Sequence, residues 1–199
     1  MPHVISSISD KSLLALLKGG AVGVLATDTV YGLVCRAEDS KAVEKLYSLK
    51  LRENKPGTVI AASTAQLEDL GIKARYLKAV EHLWPGPISV VLPFTYPAKS
   101  YLRGGLLTLA VRIPADEKLQ NLLEQTGPLL TTSANLPGEH PATTIQEAQE
   151  ILRGRVKFYV DGGDLSNREP STIIRIVDDA IEVIREGAVK IDENGRISS

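Results

Sequence analysis

The sequence is poor in cysteine, histidine and aromatic residues, and it carries almost no net charge. A single cysteine, Cys35, cannot form an internal disulfide, and the scattered His3, His82 and His140 lack the spacing of a zinc site. A net charge of −1 gives no global electrostatic reason to bind nucleic acid, although it does not exclude a local basic site. Two Phe, one Trp and six Tyr are too few for a surface on which bases stack.

The chain also lacks an apolar run of membrane length, and no signal peptide is recognised before the first predicted strand. What is present, 43% hydrophobic and 24% charged residues over 199 positions, is ordinary for a globular domain with its own core. We therefore expect a cytoplasmic protein with one domain over residues 1–199. Its core should extend over about 9–187, and residues 192–199 should form a mobile tail.

Short apolar strands and amphipathic helices alternate irregularly along the chain. Strands are predicted at 4–6, 21–26, 58–62, 88–94, 107–113, 129–132, 158–160, 172–177 and 181–185. Helices are predicted after Asp10, from Ser40, after Ser63, over 74–83, around 119–123 and after Thr144. This irregular order, with a hairpin near the end, predicts an α/β fold of the α+β type. We expect a twisted mixed β-sheet flanked by helices, without regular βαβ winding.

The first candidate site is the segment Thr27-Asp28-Thr29-Val30-Tyr31-Gly32-Leu33, which follows a buried strand and which we expect to lead into a loop and a helix. In open α/β sheets ligands bind at strand ends, and hydroxyls and a carboxylate are polar groups that can hold them. The alternative is a polar loop whose side chains cap the next element. The segment by itself leaves both interpretations open.

A second candidate is the basic trio Lys50, Arg52 and Lys55. Pro56 and the break in apolar periodicity favour an extended chain, in which residues two apart point the same way. Converging cations of this kind form an anion site. The alternative is that they only offset the dipole at the end of the preceding helix.

A third candidate is Arg112, on an apolar strand where Thr108, Ala110 and Arg112 share one face. A buried guanidinium needs a partner, which is either an internal carboxylate or an anionic substrate. Thr131, Ser133 and Asn135 likewise share a face at the end of the next strand. They predict either contact with a phosphate or a turn that caps the strand.

The remaining polar segments are weaker signals. Ser171 begins a strand and Arg185 ends one. The segment Trp84-Pro85-Gly86-Pro87 is typical of architecture, because prolines fix φ and a tryptophan packs.

Taken in order, these segments resemble the YrdC-like family of L-threonylcarbamoyladenylate synthases. The resemblance rests on residues 27–33, Lys50 with Arg52, residues 84–87, 110–114, 132–135 with Gly138, and 170–172. It implies a mixed sheet around a large concave, cationic cavity, in the short, single-domain form. It also implies a reaction in which L-threonine, bicarbonate and ATP, with Mg²⁺, give threonylcarbamoyl-AMP, pyrophosphate and water. That product feeds the modification of adenosine 37 in tRNAs that read codons starting with A.

The resemblance also implies roles for individual residues. L-Threonine would be held by Thr29, Arg112, Thr131 and Ser171, with Tyr31 shaping the pocket. ATP would be contacted by Arg52, Lys55, Thr108, Ser133, Pro141 and Arg185. The catalytic set would be Lys50, Arg52, Ser133 and Asn135, without a metal ligand from the protein. Implied partners are ATP, L-threonine, bicarbonate, tRNA and the proteins that transfer the threonylcarbamoyl group, but no membrane.

The sequence departs from the family pattern at a few positions. Ala26 and Glu53 stand where proline is usual, and the loop before Pro56 is one residue shorter than in some archaeal members. A histidine that those members carry in the next strand is replaced by Ile60 or Ala61. Glu53 brings negative charge to the implied phosphate site. Two alternatives remain: an RNA-binding or ribosome-assembly factor that uses the basic cavity, and a paralogue that adenylates another carbamate.

Overall fold

The computed structural model describes residues 2–50, 56–136, 138–178, 180–192 and 197–198. In these ranges the strands are β1 (His3–Ile5), β2 (Gly23–Ala26), β3 (Tyr31–Arg36), β4 (Thr58–Ile60), β5 (Ile88–Pro93), β6 (Thr108–Arg112), β7 (Leu129–Ser133), β8 (Phe158–Val160), β9 (Thr172–Val177), β10 (Ala180–Arg185), β11 (Lys190–Ile191) and β12 (Ile197–Ser198). The helices are α1 (Lys11–Lys18), α2 (Ser40–Leu49), α3 (Thr64–Leu70), α4 (Ala74–Val80), α5 (Glu117–Thr126) and α6 (Ile145–Leu152), with 3₁₀ turns at Glu81–Leu83 and Pro97–Arg103.

Ten of the strands form one mixed sheet in the order β1-β8-β2-β3-β7-β4-β6-β5-β9-β10. β8 pairs in parallel with β1 and β2, as β4 does with β6 and β5 with β9. The other neighbours, including the hairpin of β9 and β10, are antiparallel. The predicted mixed sheet is therefore confirmed.

The helices begin where the sequence places short polar side chains. Asp10 accepts a hydrogen bond from the Ser12 amide at 2.8 Å and caps α1. The caps of the other helices that have one are Asp39, Ser63, Asp116 and Thr144, each bonded to the amide three residues on. Because such caps act within one turn, they can be predicted from the local sequence.

Alternation along the strands gives the sheet two faces. One face carries Val24, Leu33, Val59 and Val111 into a large core with α2, α3, α4 and α6. The opposite face packs against α1 and α5 through a smaller core. Its members include Leu13, Leu17, Leu25, Val34, Ile60, Leu119, Leu123, Leu129 and Phe158. Helices therefore flank the sheet on both sides, as predicted.

On the face covered by α1 and α5, three strands change along their length from large apolar residues to small or polar ones. On that face the neighbour of Val34 is Gly32, that of Ile60 is Thr58, and that of Leu129 is Thr131. The large apolar residues lie in the smaller core. The small and polar ones line a cavity.

The sequence prediction missed one strand. A tight turn after Thr27 returns the chain as β3, and the predicted loop and helix follow only after Arg36, with α2 beginning at Ser40. Tyr31 pairs with Ala26, and Val34 pairs with Gly23. The residues Tyr31–Cys35 are all fully buried or nearly so, which favours a central strand over a helix start.

Near the C-terminus, Ile197–Ser198 pairs with Lys190–Ile191 as a small second sheet. A single domain over 1–199, with its core over about 9–187 and a mobile tail over 192–199, stays a prediction. Among the residues described, no helix combines the length and the apolarity that crossing a membrane requires.

Candidate functional site

The cavity at the polar strand ends has a volume of about 100 Å³. Its walls come from β3, β4, β6, β7, β9 and β10 and from the loops beside them. The lining residues are Thr27, Thr29, Val30, Gly32, Pro56, Gly57, Thr58, Arg112, Thr131, Thr132, Ser133, Pro170, Ser171, Ile173 and Arg185. Hydroxyl groups dominate this list, and the charged members are both arginines.

The turn between β2 and β3 fixes which way its hydroxyl groups point. Thr27 Oγ1 must donate to the carbonyl of Val30 at 2.7 Å, because a carbonyl can only accept. In its 3.0 Å contact with Thr29 Oγ1, Thr27 Oγ1 is therefore the acceptor and Thr29 the donor. The hydrogen of Thr29 is used, and its lone pairs remain. Thr29 thus presents a hydrogen-bond acceptor to the cavity.

Arg112 also lines the cavity, and it pairs with Asp28 in the turn between β2 and β3. Its Nη2 donates to Asp28 Oδ1 at 2.8 Å, and the two side chains are only 3% and 7% exposed. Burial raises the pKa of Asp28 although the charge of Arg112 opposes the shift, and burial lowers the pKa of Arg112. Arg112 Nε and Asp28 Oδ2 are buried without a hydrogen-bond partner. The guanidinium is thus held by a single carboxylate oxygen in a buried position, and Arg112 itself lines the cavity.

A second polar cluster joins Arg185, Ser171 and Ser89. Arg185 donates through Nη2 to the Ser171 carbonyl at 2.7 Å and to Ser171 Oγ at 3.2 Å. Ser171 Oγ lies 2.9 Å from Ser89 Oγ. Ser171 is 5% exposed and Ser89 is fully buried. A β-bulge after Val183 sets Arg185 opposite Ile173, whose side of the sheet faces the cavity.

Lys50 organises the turn that follows β7. It is 2% exposed, and its Nζ donates to the carbonyls of Ser133 and Asn135 at 2.8 and 2.6 Å and to Asn135 Oδ1 at 2.6 Å. Asn135 Oδ1 also accepts from Ser133 Oγ at 2.7 Å. Lys50 thus braces Ser133, which itself lines the cavity.

The structure brings most of the predicted residues together. Those that line the cavity are Thr29, Arg112, Thr131, Ser133, Ser171 and Arg185, and Lys50 and Asn135 adjoin it through Ser133. Arg52 and Lys55 lie outside the described residues, as does Glu53, so the cationic character of the cavity stays a prediction.

Three further predicted residues are not among the lining residues. The hydroxyl of Tyr31 donates to the carbonyl of Gly163 at 2.8 Å and accepts from the amide of Gly162 at 2.9 Å, which supports the loop after β8. Thr108 shares the face of Arg112 but lies at the far end of β6. Pro141 is half-buried beyond the turn at Asn135.

Sequence reasoning missed other contributors. The Asp28 carboxylate had been noticed only as a member of its segment, and its pairing with Arg112 realises the internal-carboxylate alternative. Ser89 was passed over, although a serine within an otherwise apolar strand was a signal. Gly32, by contrast, belongs to the first candidate segment, and it is needed because a Cβ there would lie 2.5 Å from Thr131 Oγ1.

The structure also bears on architecture and on metals. Trp84 donates through Nε1 to the carbonyl of Ile88, and the Gly86 amide donates to the carbonyl of Ile113, so this segment joins the start of β5 to the end of β6.

Over the part of the chain that is described, no three His, Cys, Asp or Glu side chains cluster as metal ligands.

Comparisons with known proteins agree with this fold. The family model Sua5_yciO_yrdC, described as "Telomere recombination", matches residues 15–187. A curated protein of Methanocaldococcus jannaschii, "Putative threonylcarbamoyl-AMP synthase", is 32% identical over 197 residues, which cover 94% of this chain and 91% of that protein.

Two solved structures are similar to the whole chain. P. abyssi Sua5 complexed with L-threonine is 28% identical with a TM-score of 0.83, over 96% of this chain but 58% of that one. E. coli YciO is 25% identical with a TM-score of 0.78, over 94% and 95% of the two chains. The chain thus spans less than two thirds of the length of P. abyssi Sua5. With the family model covering most of its length, the chain belongs to the Sua5/YciO/YrdC family.

Proposed function

We propose that this chain is an L-threonylcarbamoyladenylate synthase, a nucleotidyltransferase that makes threonylcarbamoyl-AMP from L-threonine, bicarbonate and ATP. The observation that carries the proposal is the polarity of the cavity. Thr29 offers an acceptor to the cavity, and Arg112 and Ser171 line it with groups that can donate. A ligand that complements this lining carries donor groups together with an anionic group.

L-Threonine has this form. Its carboxylate can accept from Arg112 and from Ser171, and its hydroxyl or amino group can donate to Thr29. Thr131 adds a further hydroxyl to the lining. The similarity to P. abyssi Sua5, which was solved with L-threonine, and to the M. jannaschii protein named for this reaction supports the assignment.

The reaction balances without a nucleophilic side chain. The amine of threonine combines with bicarbonate to a carbamate and releases water. A carbamate oxygen then forms a bond to the α-phosphorus of ATP while the bond to the β-phosphate oxygen breaks, and pyrophosphate leaves. Such catalysis consists of positioning and charge stabilisation, so the braced turn at Ser133 and Asn135 and the cations Arg185 and Lys50 suit it.

ATP would be contacted by Ser133, Thr108, Pro141 and Arg185, and by Arg52 and Lys55, which lie outside the described residues. The lining found among the described residues includes no carboxylate, and Asp28 is engaged by Arg112. Mg²⁺ would therefore enter with ATP, and it would offset the negative charge of the phosphates. The product would pass to tRNA through threonylcarbamoyl-transferase proteins in the cytoplasm.

Pyrophosphate release from ATP with Mg²⁺ and bicarbonate tests this proposal, with L-threonine, with L-serine and with no amino acid. We expect release that depends on both L-threonine and bicarbonate. Release with another amine would assign the chain to a different substrate. No release despite ATP binding would overturn the synthase and favour a binding factor, for which a steep salt dependence of RNA binding is the diagnostic.

A further inference from the structure

The cluster of Ser89, Ser171 and Arg185 contains one hydroxyl whose direction the neighbouring groups determine. A serine oxygen has two lone pairs and one hydrogen, so it can accept two hydrogen bonds and donate one. Arg185 can only donate, so its Nη2 occupies one lone pair of Ser171 Oγ at 3.2 Å. What the second lone pair and the hydrogen of Ser171 do depends on which serine donates in the 2.9 Å hydrogen bond between Ser89 and Ser171.

Burial decides that direction. Ser89 is fully buried, and within the described part of the chain its hydroxyl forms a hydrogen bond with the hydroxyl of Ser171. If Ser171 donated to Ser89, the hydrogen of Ser89 would be buried without an acceptor, which is unfavourable. If Ser89 donates, both lone pairs of Ser171 are filled. The hydrogen of Ser171 then has one open direction, toward the cavity that Ser171 lines.

We propose that Ser89 is a positioning residue that commits the Ser171 hydroxyl to donate into the cavity, where it binds the carboxylate of the substrate. Ser89 does not touch the ligand and acts through Ser171. The hydroxyl of Ser171 becomes the counterpart of Thr29, whose neighbours leave it only acceptor capacity. The identity of the ligand as L-threonine rests on the proposed function, whereas the hydrogen assignment does not.

Neutron diffraction of the deuterated protein without ligand tests the assignment independently of function. We expect deuterium on Ser89 Oγ directed at Ser171 Oγ, and the deuterium of Ser171 directed into the cavity. Deuterium on Ser171 directed at Ser89 would overturn the proposal. A chain that shows the expected deuterium positions but does not bind L-threonine would instead overturn the proposed function.

A double-mutant cycle tests the effect on binding, with L-threonine as the probe in calorimetry. Ser89→Ala should weaken binding about two- to tenfold, the range of one net hydrogen bond. In the Ser171→Ala background the same change should have no further effect, because Ser89 acts only through Ser171. Equal weakening in both backgrounds, or none in the wild type, would overturn the proposal.

Two further variants separate positioning from general loss of structure. Thr126→Ala removes a buried hydroxyl, bonded to the Leu122 carbonyl on α5, away from the cavity, and should leave the Kd unchanged. Ser89→Thr retains the hydroxyl and should restore binding to within about twofold of the wild type. If Ser171→Ala binds too weakly to measure, Ser89→Thr decides, and failure to restore binding overturns the proposal.

Discussion

Asp28 and Arg112 form a buried ion pair across 84 positions of sequence, joining the turn after β2 to the end of β6 at 2.8 Å. Burial opposes the charge of both members, because it also lowers the pKa of Arg112. Burial raises the pKa of Asp28 despite the adjacent guanidinium, which means that desolvation of the carboxylate outweighs what Arg112 returns.

Removal of Arg112 should therefore destabilise the protein more than neutralisation of Asp28. Arg112→Met leaves a buried carboxylate without a counter-charge, and we expect a loss of about 3–5 kcal/mol in the free energy of unfolding at neutral pH. Asp28→Asn retains an acceptor for Arg112 and should cost much less. Urea denaturation measures both. Equal losses would contradict this account. Glu182→Ala, which breaks the exposed pair with Arg175, is the matched control and should have little effect.

The same pair predicts a pH dependence with a definite sign. Because the pKa of Asp28 is raised on folding, the native state binds a proton more readily than the unfolded chain, and stability falls as pH rises through the raised pKa. Arg112→Met removes the opposing charge and should steepen this fall. Unfolding free energies between about pH 5 and pH 8 test it. The double variant Arg112→Met/Asp28→Asn lacks the titrating carboxyl group. The steeper pH dependence of the unfolding free energy expected for Arg112→Met should therefore be absent from it. A slope of opposite sign would refute the assignment.

Cys35 should be unreactive in the native protein. Its thiol is fully buried in β3, and burial raises the pKa, so the reactive thiolate is scarce. Iodoacetamide at pH 8 should leave the folded chain unmodified and label the chain in urea at one site, as measured by mass spectrometry. Because the sequence contains one cysteine, each label reports this residue alone. Rapid native labelling would indicate that β3 opens.

Lys50 and Asn135 should behave as one unit in catalysis. Lys50→Met removes the bonds that brace the turn at Ser133, and misplacement of this kind can cost about 10²-fold in rate. Asn135→Ala removes the other half of the brace. If Lys50 acts through the turn, the double variant is no slower than the slower single variant in pyrophosphate release. Additive losses would show that Lys50 contacts the substrate independently.

Features that depend on near neighbours in the chain could be predicted from the sequence, whereas contacts between distant segments could not. Helix caps such as Asp10 and Ser63 act within one turn, so their effect could be predicted from neighbours alone. Strand parity placed Arg112 on a polar face correctly. The partner of Arg112 could not be derived from spacing, because Asp28 reaches it only through the order of strands in the sheet.

The turn after Thr27 was misjudged for a different reason. Its residues lack the Gly or Asn that usually mark a two-strand hairpin, and the turn is held by the hydroxyl of Thr27 instead. The direction of the hydroxyl groups in the cavity was likewise invisible, since it depends on neighbours such as Ser89 and Arg185 that are distant in sequence.

Gly32 should be intolerant of even a methyl group. A Cβ at this position would lie 2.5 Å from Thr131 Oγ1 and 3.3 Å from Thr27 Cγ2, between β3 and β7 in the floor of the cavity. Gly32→Ala should lower the free energy of unfolding by about 1–3 kcal/mol through overpacking. It should also weaken L-threonine binding, because Thr131 must move. Gly86→Ala is the matched control, since its Cβ meets only the Leu83 carbonyl at 3.4 Å. Unchanged binding in Gly32→Ala, with a crystal structure showing Thr131 displaced, would exclude Thr131 from the threonine site.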